Sequence, residues 1–358
     1  MRINLRKHMS AGIFGLTILW VLAACAPASP PSQTTNLSDT PVPISSPTAK
    51  PTPSPSPSET PAPAVPCFTT YYDPFAFLPD SLILLVRAEM GVQLFNLETM
   101  QSEKFIQAPN IINGPAVDLS PAGMLAWGFE DGTIQQIRLP DLQLISTAVS
   151  GHAGPVKLEY SQTNEKLYSG SQDGWINYWN LNGSQADSMR PVDELMNFGI
   201  SPDGSLIAVI PSDGSVFLYQ LDYYSLVKEF VSSGGSDTSD VVFSPDGQYL
   251  AADLATGLHV WRITDGKELL GGDAPIYSMA VAYSPDGKYL AYADINTVVL
   301  SSPDGSKMIR SFTGHQAPIF ELLFSPDSST LVTADDLEIR VWQVEDGELL
   351  AVGKSECK

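Results

Sequence analysis

Three observations predict that this chain folds as an all-β ring of seven four-stranded sheets, a β-propeller. The first is a repeated phrase. Ser-Pro-Asp-Gly stands at residues 201–204, 244–247 and 284–287. Degenerate copies read Leu78-Pro79-Asp80-Ser81, Ser120-Pro121-Ala122-Gly123, Ser161-Gln162-Thr163-Asn164 and Ser325-Pro326-Asp327-Ser328. The second is spacing. Successive copies begin 42, 41, 40, 43, 40 and 41 residues apart, the period of a propeller with one sheet per unit. The third is that apolar residues fall in short runs between turn signals, with no helical period. One such sheet cannot bury both of its faces, so seven must stack into a ring.

Blade five shows how each element arises. Residues 240–243 form a short strand. Ser-Pro-Asp-Gly turns the chain, because Pro pre-sets φ and Gly accepts φ > 0. Residues 248–253 are the second strand, and Ala255-Thr256-Gly257 turns again. Residues 258–263 are the third strand, with His259, Trp261 and Ile263 on one face and Leu258 and Val260 on the other. Thr264-Asp265-Gly266 makes a hairpin turn into an outer strand at 267–270. Asp-Gly pairs fill the second turn at 131–132, 173–174 and 213–214, and the third at 304–305 and 346–347.

The slots now carry a family resemblance. Trp179-Asn180, Trp261-Arg262 and Trp342-Gln343 stand where WD repeats have Trp-Asp, and Gly151-His152 and Gly314-His315 where they have Gly-His. Cys67 to about Val352 resembles a WD-repeat propeller, with the Trp missing from blades one, two, four and six. In that family a Trp, a Ser or Thr, a His and a turn Asp form a hydrogen-bonded chain through the blade. The resemblance implies that Trp179, Ser169, His152 and Asp173 do so in blade three. It implies the same for Trp342, Thr333, His315 and Asp336 in blade seven, where the turn looks one residue shorter. The histidines are then structural.

The first 24 residues read as a secretory signal. Arg2, Arg6 and Lys7 precede an apolar run at 11–22, shorter than the ~20 residues a spanning helix needs. The run ends in Leu22-Ala23-Ala24-Cys25, which resembles the lipobox of bacterial lipoproteins. The resemblance implies lipid on Cys25 and a place on the outer side of a bacterial cell membrane. Residues 25–66 then read as a linker. Between 26 and 66 stand 13 Pro, 8 Ser and 6 Thr, a composition that favours polyproline II over a core. At ~3.1 Å per residue its reach is at most roughly 130 Å. The Ser and Thr are possible O-glycosylation sites. The propeller occupies 67–358.

The chain's net charge is −21. Setting aside the three cations of the signal and the single net negative charge of the linker leaves −23 on the propeller. That charge excludes nucleic acid as a partner and disfavours anionic lipid, leaving the acyl chain as the membrane link. It also keeps a monomer soluble, or favours basic partners. Cys67 and Cys357 occupy equivalent loop slots from opposite ends of a seven-unit ring, so a disulfide between them is expected in an oxidising compartment. Blades one (75–106) and seven (319–352) each have four strands of their own, with no strand exchange expected, so this bond would clasp the ring. Its loop-entropy contribution is ~5 kcal/mol at most.

Catalytic signals are missing from the sequence. It has no nucleophile elbow, phosphate loop, zinc spacing or dinucleotide fingerprint, and no cofactor or metal is expected, a cation in the central channel being the one opening for it. Near-even units leave no room for a catalytic insertion. Candidate partner-binding residues are turn aromatics larger than the fold demands: Trp175 on one face, Tyr223 and Tyr224 on the other. The Gly/Ser/Asp-rich loop at 232–240 joins them. The reading is a non-enzymatic, membrane-anchored scaffold that binds another protein outside the cytoplasm. Its rivals are a lactonase-like enzymatic or ligand-binding propeller and an envelope-assembly lipoprotein.

Overall fold

A computed structural model describes residues 64–65 and 75–355, apart from 79–80, 89–90, 108–115, 130, 140–142, 153–155, 164, 231–239 and 272–279. The described residues form seven sheets, each built on four consecutive antiparallel strands, and one of them carries a fifth. The first strand of each sheet meets the first strands of its neighbours, and these line the ring's centre. Blade five runs Asp240–Phe243, Tyr249–Leu254, Gly257–Arg262 and Lys267–Leu270. Each bound lies within one residue of the sequence reading.

The repeated phrase works as a sealed hydrogen-bonded turn. In blade five the Ser244 hydroxyl donates to Asp246 Oδ1 at 2.6 Å and accepts the Tyr249 N–H at 2.9 Å. Gly247 takes a φ of 67°, a conformation glycine adopts without a Cβ penalty. The Ser is buried, so both sides of its hydroxyl chemistry must be met inside the protein. Blades four and seven repeat the pattern through Ser201–Asp203 and Ser325–Asp327. In blade seven Ser328 stands where glycine would and still takes a φ of 62°.

Neighbouring blades share apolar layers. Ala208, Ile210, Val216 and Leu218 of blade four pack against Val241, Phe243, Leu250 and Trp261 of blade five. Blades one and seven close the ring in the same way, with Leu84, Phe95, Leu97 and Met100 against Val332, Ala334, Ile339 and Val341. Burying such side chains contributes roughly 1.5–3 kcal/mol each. Near the centre, carboxylates tie one inner strand to the next. Asp118 Oδ2 accepts the Tyr160 N–H at 2.5 Å, and Glu159 Oε1 accepts that of Ile200 at 2.8 Å.

One feature of the closure differs from expectation. Blades one and seven do have four strands of their own, but Ala64–Val65 adds a fifth to blade seven, parallel to its outer strand Leu349–Ser355. Ala64 pairs with Lys354 and Val65 with Ser355. These two residues belong to the segment read as linker. Cys25, Cys67 and Cys357, with the signal and the rest of the linker, lie outside the described residues.

Candidate functional site

A polar chain runs through the inside of blade seven. Leu331 and Trp342 are register partners on the two middle strands, which brings Thr333 under the indole. Trp342 Nε1 donates to Thr333 Oγ1 at 2.9 Å. Thr333 Oγ1 lies 2.6 Å from His315 Nε2, and His315 Nδ1 lies 2.8 Å from Asp335 Oδ2. A neutral imidazole protonated on Nδ1 satisfies every group, each donor meeting one acceptor. Burial holds His315 below its ordinary pKa, which keeps it neutral. Burial alone would raise Asp335, but the Leu337 N–H and His315 outweigh it and hold the carboxyl below its usual range.

This geometry corrects the sequence reading at one residue. Asp335, fully buried, closes the chain; Asp336 is exposed. The turn is one residue shorter than in blade three, so the first Asp of the pair sits where its side chain points inward. Asp335 Oδ1 also accepts the N–H groups of Leu337 and Glu338, both at 2.8 Å. His315, Asp335 and Glu338 offer ligand atoms within 4.8 Å of one another. Protein groups already engage all three, Glu338 through Arg340 at 2.5 Å.

Blade three holds the chain the resemblance implies. Trp179 Nε1 donates to Ser169 Oγ at 2.9 Å, and His152 Nε2 lies 3.0 Å from that oxygen. His152 Nδ1 is 3.4 Å from Asp173 Oδ1, a looser contact than in blade seven. Asp173 also accepts the Trp175 N–H at 3.1 Å, which fixes the turn. Burial holds His152 below its ordinary pKa.

Blade five carries a third chain, which sequence reasoning missed. Its Trp261 is stacked on His259, ring centroids 5.3 Å apart. His259 Nε2 is 2.8 Å from Thr256 Oγ1 and Nδ1 is 2.6 Å from Glu268 Oε1. Ala252 occupies the position of Ser169 and Thr333, so no hydroxyl sits there for the histidine. The contact with Glu268 depends on the register shift between Val260 and Trp261, which the sequence does not display.

The candidate binding aromatics separate into two kinds. Tyr223 is 81% exposed and Trp175 is 43% exposed, and they stand on opposite faces of the ring. Tyr224 belongs to the fold. Its hydroxyl donates to Asp187 of blade three, and its ring lies 5.9 Å from that of Tyr178. Burial, with Asp187 beside it, pushes the phenol up to about 12. The face that carries Trp175 also exposes Ile295 and Leu337 on second turns of blades six and seven. Ile295 adopts a φ of 56°, uncommon and costly for a β-branched residue. Its only sequence signal is a turn that lacks glycine. A cleft of about 600 Å³ lies between blades seven and one. Its two carboxylates are Glu98 and Asp327, and Asp327 is already engaged by Ser325 and Ser329.

Comparison with known proteins agrees with this architecture. The WD40 family, WD domain, G-beta repeat, matches residues 143–180 and 306–343. The chain folds as a β-propeller, and two of its segments are similar to WD40 repeats. The WD repeat-containing protein SL1-17 of Schistosoma mansoni is 28% identical over 53% of this chain. The guanine nucleotide-binding protein subunit beta of Solanum tuberosum is 24% identical over 57%. An uncharacterized WD repeat-containing protein of Synechocystis, sll1491, is 29% identical over 37%. The matches span 65%, 60% and 39% of those relatives' own lengths. A chain from the crystal structure of the mitotic checkpoint complex superposes with a TM-score of 0.66 at 17% identity, covering 87% of this chain and 100% of that one.

Proposed function

We propose that this chain is a lipid-anchored, extracytoplasmic propeller that serves as a protein-interaction scaffold. One observation carries the reading. The described histidines are all engaged by neighbouring side chains within the blades, whereas Trp175 and Tyr223 stand out on turns where the fold does not need them. The described histidines thus serve stability, and the surplus side chains are of the kind enriched in binding hot spots. Relatives named as a G-protein beta subunit, and a fold shared with a checkpoint-complex chain, are in keeping with a protein partner.

The membrane anchor rests on Leu22-Ala23-Ala24-Cys25 ahead of the Pro-rich segment. The ring clasp gains support from the arm. Cys67 and Cys357 each stand two residues beyond the parallel pair Val65–Ser355, and equal offsets from a parallel pair favour their meeting. Crosslinking in intact cells, followed by mass spectrometry, tests the function. A discrete protein partner lost on Trp175→Ala or Tyr223→Ala is the expected result. Loss of a measured turnover on His259→Ala, with partners unchanged, would overturn it in favour of an enzyme.

A further inference from the structure

The rim of the propeller is made of outer strands, each with one backbone edge turned away from its sheet. Such edges are templates for pairing, and proteins blunt them with charge or cover them. Six of the seven follow that rule. Lys104, Asp187, Lys228, Glu268 and Arg310 stand on the outer strands of blades one, three, four, five and six. The blade seven strand carries Lys354 and is covered by the arm at Ala64–Val65.

Blade two is the exception. Its outer strand, Gln143–Val149, reads Gln-Leu-Ile-Ser-Thr-Ala-Val, with no charge, Pro or Gly. Leu144 is 54% exposed and Val149 is 72% exposed. An uncharged, β-prone seven-residue edge in a chain of net charge −21 is otherwise an aggregation hazard.

The molecule itself shows what such an edge accepts. All seven blades shift register at the equivalent step between their third and outer strands, blades two and seven among them. In these two the step falls where Ile137 pairs with Leu144 and Trp342 with Leu349. Counting on from there, Val149 opposite Thr133 stands where Lys354 stands opposite Glu338. Lys354 is the residue that pairs with Ala64 of the arm. At that position blade one has Gln107, blade six Thr313 and blade two the exposed Val149; only in blade two is the whole outer strand around it free of charge.

We propose that the outer edge of blade two, centred on Ser146–Val149, is a strand-addition site for an extended segment of a partner protein, uncharged or basic and with alternating apolar residues. This inference rests on the scaffold reading and names one of its surfaces. Main-chain hydrogen bonds supply the affinity of such a site, and the flanking Leu144 and Val149 supply its preference for apolar neighbours. Charge selects the occupant: an acidic ring attracts a basic segment and repels a second acidic ring. A second copy of the chain is disfavoured for that reason.

The test uses the full chain and a synthetic acetylated, amidated peptide, Lys-Val-Thr-Val-Lys-Val, with a version carrying Pro in place of the central Val as control. Hydrogen exchange should show added protection at residues 143–149 with the peptide and none with the Pro control. The double variant Leu144→Lys/Val149→Lys should keep its melting temperature and lose at least tenfold in peptide affinity. Protection elsewhere, or unchanged affinity in the variant, overturns the inference. So does concentration-dependent dimerisation in sedimentation that the same variant abolishes, since the occupant is then a second copy. A cellular partner whose crosslinks depend on Trp175, together with no peptide protection on blade two, leaves the scaffold standing and overturns this site alone.

Discussion

Thr333→Val removes one hydroxyl from the blade seven chain and nearly preserves the side-chain shape. The site is fully buried, so no water replaces the lost oxygen. Two groups lose their partner at once: Trp342 Nε1, 2.9 Å away, and His315 Nε2, 2.6 Å away. A buried polar group left unsatisfied costs ~1–3 kcal/mol. Two of them, less a small gain from the added methyl, give an expected loss of about 2–5 kcal/mol. Equilibrium unfolding in urea measures it, and a double-mutant cycle isolates the cause. In a Trp342→Phe background the indole N–H is already gone, so Thr333→Val should cost about 1 kcal/mol less. A loss below about 0.5 kcal/mol, or costs that simply add, would refute the claim that this hydroxyl links the two rings.

Burial holds His152 and His315 below their ordinary pKa. The unfolded chain binds those protons more readily, so stability is fully present above about pH 6.5 and is lost as pH falls from there; a melting temperature that rises between pH 7.5 and 5.5 would contradict this. Gly174→Ala should destabilise far more than Gly247→Ala in a thermal melt. Both have positive φ, but a Cβ at 174 would lie 2.2 Å from the Val192 carbonyl oxygen, whereas one at 247 meets nothing within 4 Å. Cys357→Ser should lower the melting temperature of oxidised protein and bring early hydrogen exchange at 349–355; identical melting of wild type and variant would remove the clasp.

The fold was legible because its signals are local. Each Ser-Pro-Asp-Gly seals its own turn with its own atoms, so three exact copies and four degenerate ones at one period reveal seven sheets. The blade three chain was legible through its Gly-His and Trp slots. What escaped notice depends on contacts between segments. Asp335 and Asp336 are adjacent and chemically alike, and only the shortened turn decides which points inward. The arm is two residues between Pro63 and Pro66, and its strand exists only because blade seven offers an edge. Tyr224 looked like a surplus aromatic until blade three supplied Asp187 and Tyr178. Glu268 reaches His259 across a register shift, with the three residues of turn and strand between Thr264 and Glu268 giving no sign of it.

Mass spectrometry of the full chain, purified from its membrane fraction and digested without reduction, tests the extracytoplasmic, anchored ring most directly. The account predicts a mature N-terminal peptide beginning at Cys25 with acyl mass added, and a single linked peptide joining Cys67 to Cys357. An intact N-terminus ahead of an unmodified Cys25, with Cys67 and Cys357 both recovered as free thiols, would contradict it.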